Sequence, residues 1–578
     1  MLARLVALGC CAALLALSLV PGLRAEPAKI YGVAGEAWQA AGGPLPDFSF
    51  AGYQRGEQAL PERKPEVSVK DHGAVGDGKA DDTAAIQKAI DANPGKVIHL
   101  PEGRYRLTRS LTLVSGAHGT VLQGDGPART VLTADVPLQE IEPLPVSYPE
   151  TGGTAYAYSG AFIRFTGSTG YFENSGSAVT EPVARGATEL TLAGDHGFKK
   201  GDEVVVLVHE ASGQSLLRYL YRDDADDLSR AGESLTLRQV SRITAVKGAQ
   251  VTLERPLRTE LRAEWKPELR RFQPRLQEVG VERLAFEFPD KPYEGHFTER
   301  GFNAIQFIGV AHGWVRDVVI RNADSGIFLN GSVFCSLSGI VIESSRRANN
   351  PHEATGHHGL SLTSLDCLCT DFEFRTKFIH DLTVSAGSVG CVFRSGTGPD
   401  LSLDHHKRGP YENLFSNLDL GKGSRVFLSG GHAGIGRHAG AGNTYWNLRS
   451  RSDVDLPEGF GPARQTFIGV KLRGRGKPDA EGLWLESIPP GKVEPADLYS
   501  AQLDRRLGRS APVAKPAPST PAAAQAWTND EGRTLQAVFK GLQGEHVLLL
   551  LANGQTIRYP LAKLAPASRE QAQRLAGE

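Results

Sequence analysis

The most informative pattern along the chain is a repeated break in strand alternation. Five segments share one order of positions: apolar, any, corner, apolar, any, and usually apolar. They are Val315-Arg316-Asp317-Val318-Val319-Ile320, Leu337-Ser338-Gly339-Ile340-Val341-Ile342, Ile379-His380-Asp381-Leu382-Thr383-Val384, Phe415-Ser416-Asn417-Leu418-Asp419-Leu420 and Tyr445-Trp446-Asn447-Leu448-Arg449, the last ending at polar Ser450. In an uninterrupted strand the buried positions keep one parity. Here the parity shifts at the corner, which is Asp, Gly or Asn, the residues that best tolerate a left-handed backbone. A strand, a one-residue corner and another strand, repeated, predicts the coils of a parallel β-helix, and so an all-β chain.

The five corners are 22, 42, 36 and 30 residues apart. The shortest interval approximates a bare coil, so the longer ones carry loops. A second ladder is read at Ile327-Phe328-Leu329, Leu360-Ser361-Leu362, Cys391-Val392-Phe393 and Val426-Phe427-Leu428. The segments after it, 363–377, 394–412 and 429–443, are expected to stack as one wall of a groove. Segment 343–359 is expected to form the other.

Ahead of these coils, residues 67–90 read VSVKDHGAVGDGKADDTAAIQKAI. Val67-Ser68-Val69 alternates, a Gly-rich turn follows, and Asp81, Asp82 and Thr83 offer N-cap oxygens to a helix with Ala85, Ile86, Ala89 and Ile90 on its apolar face. Val97-Ile98-His99-Leu100, Pro101-Glu102-Gly103 and Tyr105-Arg106-Leu107 come next. This run resembles the opening of the secreted pectate-lyase-like and rhamnogalacturonase-like proteins, in which such a helix caps the first coil. His72 departs from the aromatic residue usual there. The resemblance implies a right-handed parallel β-helix of the pectin-lyase-like type and a polysaccharide substrate. Residues 176–260 look like a strand-rich insertion, with Thr188-Glu189-Leu190-Thr191-Leu192, residues 204–208, and a hairpin around Lys247-Gly248-Ala249-Gln250.

The two ends have other compositions. Residues 1–25 read as a cleaved signal peptide: Arg4, an apolar stretch from Leu5 to Val20, a Pro21-Gly22 break and a small Ala25. The expected destination is outside the cytoplasm: secreted, periplasmic or on the cell surface. No later segment is apolar enough to span a membrane. Residues 26–508 form the expected β-helix domain, and 509–525 a Pro/Ala linker. Residues 526–578 run from Trp527-Thr528-Asn529-Asp530-Glu531-Gly532-Arg533 through short alternating strands and an Asn553-Gly554 turn to Pro560-Leu561-Ala562-Lys563-Leu564. They predict a small β-barrel that resembles the first homology domain of the yeast endocytic Sla adaptors. The resemblance implies a peptide- or protein-binding module, read here as a means of attachment.

Charge narrows the partners. Lys+Arg number 64 against 65 Asp+Glu, a formal net charge of -1, which argues against a nucleic-acid partner. Four cysteines follow the signal: Cys335, Cys367, Cys369 and Cys391. Their spacing does not suit zinc, leaving buried stacking or one disulfide. The acidic run Asp223, Asp224, Asp226, Asp227 admits calcium, but without the ligand order of a known loop it reads as solvated. No cofactor is required, and no metal ligands are assigned.

The unusual chemistry lies in the expected walls. One carries His352, His357 and His358. The other carries Asp404-His405-His406-Lys407-Arg408, Tyr411, His432, Arg437 and His438. From Arg394 to Arg449 there are seven Lys/Arg against four Asp/Glu, a balance suited to an anionic polymer. β-Elimination at a uronic acid needs a cation to neutralise the carboxylate, a base and an acid. The expected roles are His405 as base, Arg394 or Arg408 as neutraliser, and His358 or Tyr411 as proton donor. His357, His406, Lys407, His432, Arg437 and His438 are expected to bind substrate. Glycoside hydrolysis, the alternative, needs two carboxyls at a set separation. Asp366, Asp371, Glu373, Asp400 and Asp404 are available. Gly356-His357-His358-Gly359-Leu360-Ser361 and Asn322-Ala323-Asp324 partly resemble rhamnogalacturonase motifs, but the paired aspartates expected between them are absent from 326–356. A non-catalytic glycan-binding surface protein is the third reading.

Overall fold

The computed structural model describes residues 25–148, 153–456, 459–461, 464–474, 483–509, 524–551 and 556–577. The expected signal peptide up to residue 24, most of the linker and the Asn553-Gly554 turn lie outside these residues. The chain divides into two compact units, Met1–Ser510 and Ala511–Glu578.

In the first unit two parallel sheets take turns along the chain. The longer, fifteen-stranded sheet includes Gly280–Glu287, Trp314–Arg321, Ser336–Glu343, Leu368–Phe374, Val392–Arg394 and Leu414–Ser416. The other, seven-stranded sheet contains Asn303–Ile308, Ser325–Val333, His358–Leu365, His380–Val384 and Leu403–His405, which fall between those strands one by one. Each strand pairs in parallel with the equivalent strand of the next coil, as in Val315↔Leu337 and Ser361↔Thr383. That alternation is a parallel β-helix. Its core is a continuous column of buried Leu, Ile, Val and Phe between the sheets.

The corners have a physical counterpart. Arg283, Asp317, Gly339, Asp371, Ser395, Asn417, Asn447 and Gly469 all take φ between 51° and 64°, one per coil of the longer sheet. A second left-handed residue precedes each by five positions, from Glu278 and His312 through Asp366 and Glu412 to Arg464. Three of the expected ladder assignments change. Ile379–Val384 belongs to the seven-stranded sheet, and Asp381 is no corner: its carboxylate accepts from Phe378 N and Ser402 N, both at 2.8 Å. Val392 and Phe393 belong to the longer sheet, and 426–428 form no strand.

The helix Thr83–Ala92 caps the first coil, burying Ile86, Ala89 and Ile90 against it. Asp81 accepts from Thr83 N at 3.0 Å, as a capping carboxylate should. Asp82 instead accepts from Val75 N and Gly76 N, holding the Gly-rich turn. The insertion forms a six-stranded antiparallel sheet that extends to Glu268–Arg271, a strand whose single apolar residue, Leu269, gave the alternation little to show. It packs on a narrow strip of coil residues, among them Ala311, Val333, Leu365, Val389 and Tyr411. All four cysteines are buried free thiols, and Cys335, Cys367 and Cys391 each precede a strand of the longer sheet. This is the stacked alternative.

The second unit is a four-stranded antiparallel meander followed by the helix Pro566–Gly577, around Trp527, Ala537, Val547 and Leu549. Beyond the last strand the chain returns to the end of the first: Asn529 bridges Leu564, Ala565 N donates to Thr528 O at 2.9 Å and Asp530 N to Lys563 O at 3.0 Å, so the two ends of the meander are joined.

Candidate functional site

The outward face of the seven-stranded sheet follows from its register. Leu360, Leu382 and Leu403 are paired in one inward column, so Ser361, Thr383 and Asp404, paired in the next, point outward. Phe328 joins the outward column through its pairing with Ser361, and Asn330 pairs with Thr363. Above this face opens a cavity of about 670 Å³. Its floor is Phe328, Asn330, Ser361, Thr363, Thr383 and Ser385. His357, His358 and His406 stand at one end, and Tyr158, His296, Phe297, His432 and Ile435 complete the walls.

The histidines form one cluster. Ring centroids are 4.2 Å apart for His357 and His358, 5.0 Å for His358 and His380, and 5.2 Å for His380 and His406. His296 joins at 4.5 Å from His357. Burial pushes His357, His358 and His380 well below the ordinary imidazole range. It also takes His296 to about 4. Asp404 lies beneath them, wholly buried. It accepts from His406 Nδ1 at 2.9 Å, from the Thr383 hydroxyl at 3.1 Å and from Gly430 N at 2.8 Å. Burial works against its charged form, but the facing rings of His380 and His406 outweigh this and hold the carboxyl well below its usual range. Burial also opposes charge on His406, yet Asp404 outweighs it and raises that ring. Because Nδ1 of His406 donates to Asp404, it is Nε2 that carries the lone pair when the ring is neutral.

His405, the expected base, is in the interior. It is fully buried, its Nδ1 donates to Leu403 O at 2.9 Å, and its Nε2 accepts from the Tyr445 hydroxyl at 3.0 Å. Burial lowers it to about 4. The expected neutralisers are also elsewhere. Arg394 lies on the longer sheet, paired with Asp497 at 2.7 Å, and Arg408 bonds Ala231 O of the insertion at 3.2 Å. Tyr411 is buried under the insertion. Arg437 is paired with Asp224 at 2.7 Å, and His438 Nδ1 donates to His405 O at 3.2 Å. The stem of Lys407 runs beside Gly431, next to the cavity wall. Among the described residues lining the cavity there is no Lys or Arg, so the expected basic groove is an imidazole and hydroxyl pocket.

Of the carboxyls considered for hydrolysis, Asp366 is locked between Arg255 and Arg258, Glu373 pairs with Arg375, and Asp400 holds Ser424. Asp371 is a corner of the longer sheet. Near the cavity are Asp404 and Glu299, whose side chains are both 0% exposed. Sequence reasoning missed His296, Tyr158, Phe297 and Glu299, which come from loops distant in sequence and carry no local motif. His380 was placed in the wrong sheet.

The family described as "Rhamnogalacturonase A/epimerase, pectate lyase-like" matches residues 66–153, the capping helix and first coils. Mannuronan C5-epimerase AlgE2 of Azotobacter vinelandii is 43% identical over 77 residues, 12% of this chain and 7% of that protein. Alginate lyase 7 of the same organism is 43% identical over 74 residues, 12% of this chain and 9% of that protein. The matched stretches thus span less than a tenth of these relatives' length. Among solved structures, tailspike gp49 from Pseudomonas phage LKA1 aligns with a TM-score of 0.39 at 15% identity, covering 70% of each chain. The exopolygalacturonase of Thermotoga maritima aligns at 0.29 and 11% identity, covering 74% of this chain and 79% of that one.

Proposed function

We propose that the protein is a secreted carbohydrate-active enzyme that binds a uronate-containing polysaccharide in the histidine pocket and cleaves it by β-elimination. The observation that carries this reading is the His406–Asp404 pair: a buried carboxylate fixes the ring tautomer, and the ring borders an open, hydroxyl-lined cavity on the wall of a β-helix. In this reading His406 Nε2 takes the proton from C5 of the uronate. The C–H electron pair forms the C4–C5 double bond, the C4–O bond breaks, and the leaving oxygen takes a proton from the Tyr158 phenol. Asn330, Ser361, Thr363 and Thr383 bond sugar hydroxyls, and Phe297 and Phe328 pack on ring faces. His358 takes a binding role. The base role moves from His405 to His406 because only His406 borders the cavity.

Hydrolysis is disfavoured because Asp404 and Glu299 are covered, and among the described residues lining the cavity there is no carboxyl pair to flank a scissile bond. The C-terminal unit is read as an attachment module for a protein or surface partner. Incubation with a panel of polyuronates, followed by ultraviolet absorbance and mass spectrometry, tests the reading. Unsaturated products are expected, with turnover falling about 10²- to 10⁴-fold in His406→Ala. New reducing ends without unsaturation would mean hydrolysis, inverted C5 centres without cleavage would mean epimerisation, and tight binding without product would mean a glycan-binding protein.

A further inference from the structure

His357 and His380 are 2% and 3% exposed, yet none of their four ring nitrogens has a hydrogen-bond partner. Buried polar atoms are rarely left this way, and two adjacent rings so placed call for a ligand. Each ring has a carboxylate close to one nitrogen without bonding it: Glu299 Oε1 is 3.3 Å from His357 Nδ1, and Asp404 Oδ2 is 3.4 Å from His380 Nδ1. His296 closes the group from the cavity side. One nitrogen from each of His296, His357 and His380 can be chosen so that all three lie within 4.8 Å of one another.

We propose that His296, His357 and His380 bind a divalent transition metal of the zinc class. Three imidazoles around a tetrahedral ion, each with a metal–nitrogen bond of about 2 Å, place their ring centroids about 5 Å apart. The observed separations are 4.5, 5.4 and 5.9 Å. An all-imidazole set suits zinc, cobalt or nickel and not calcium, which takes oxygen ligands. Glu299 and Asp404 stand where carboxylates orient metal-bound histidines. A second triad, His380, Asp404 and His406, has similar spacing. It is already satisfied internally, because Asp404 takes three hydrogen bonds, one of them from His406. Three protein ligands leave a coordination position open, and His296 and His357 both line the cavity. On the β-elimination reading, that ion supplies the positive charge beside a substrate carboxylate which the lining side chains lack; metal binding itself does not depend on that reading.

The test uses the untagged full-length protein, stripped with chelator and titrated with Zn²⁺ or Co²⁺ alone. One equivalent of metal is expected, with the visible absorption of a four- or five-coordinate cobalt site and a rise in thermal midpoint. His296→Ala, at an exposed position, should weaken binding at least tenfold, and His357→Gln and His380→Gln should abolish it. His352→Ala, on the exposed loop nearby, should change nothing. Absence of stoichiometric binding would overturn the proposal. So would binding that survives His296→Ala and His357→Gln but is lost in His406→Ala, which would place the ion in the other triad. Since no glycan is present, a metal-binding protein inactive on polyuronates would count against the proposed reaction alone. An active protein that binds no metal would count against the metal site alone.

Discussion

His405 and His406 are neighbours with opposite fates, because adjacent strand residues point to opposite faces. His405 packs against Phe415, Tyr445 and Phe460 in the core. His405→Ala should therefore cost about 2–4 kcal/mol of stability, as a core truncation does. The molecules that still fold should keep their turnover, and comparing denaturation midpoints with specific activity checks this. A second residue-scale prediction concerns Asp366 and Glu412, two left-handed corner residues held by insertion arginines. Arg255 reaches Asp366 at 2.7 Å, and Arg258 reaches Asp366 at 3.2 Å and Glu412 at 3.0 Å. Burial pushes both carboxyls up, but these guanidiniums and Arg185 outweigh it, so both are lowered. Their contribution is complete above the unfolded carboxyl values of about 4 and is lost as pH falls below them toward the folded values. Thermal midpoints measured from pH 7 to pH 3 should drop steeply at the acid end. Asp366→Asn should be less stable by about 3–5 kcal/mol near neutrality, since it strands buried Arg255 and leaves Arg258 only the Glu412 carboxylate, and its acid-dependent loss should be smaller.

At the scale of the element, the left-handed corners decide how each coil closes. Asp317 is exposed, at φ 53°. Asp317→Gly should be neutral or slightly stabilising, whereas Asp317→Val should cost about 1–2 kcal/mol by forcing a β-branched residue into that region. Chemical denaturation of the two variants tests the corner directly. The Asp, Gly and Asn corners at 317, 339, 417 and 447 were legible because those residue types advertise the conformation. Arg283 and Ser395 occupy the same position without advertising it, whereas Asp371 and Gly469 are of the advertising types and went unread all the same. Asp381 shows the converse: the right residue type, used to cap backbone N–H groups instead.

At the scale of the whole molecule, the cavity and the histidine cluster are built wholly within the first unit. A chain ending near Ser510 should therefore fold and keep both turnover and metal binding, because stacked coils are stabilised by their neighbours. Comparing thermal midpoint and activity of full-length and truncated protein tests this. A truncated protein that is folded but inactive would show that the second unit completes the site. No helix among the described residues is long and apolar enough to cross a membrane.

Local chemistry in the sequence was enough to determine the parallel coils, the capping helix, the existence of an insertion and the concentration of histidines between 350 and 438. Each of these depends on residue type and short-range periodicity, which a chain carries wherever it folds. Which histidines meet, and what they meet, was decided by the tertiary structure. Strand register sends His406 outward and His405 inward. A loop some sixty residues upstream brings His296 to His357. The arginines expected to face a substrate are drawn to Asp497, Asp224 and the insertion, because a buried or half-buried guanidinium goes to the nearest acceptor the fold offers. Such pairings join residues remote in sequence, and periodicity along a chain carries no record of them.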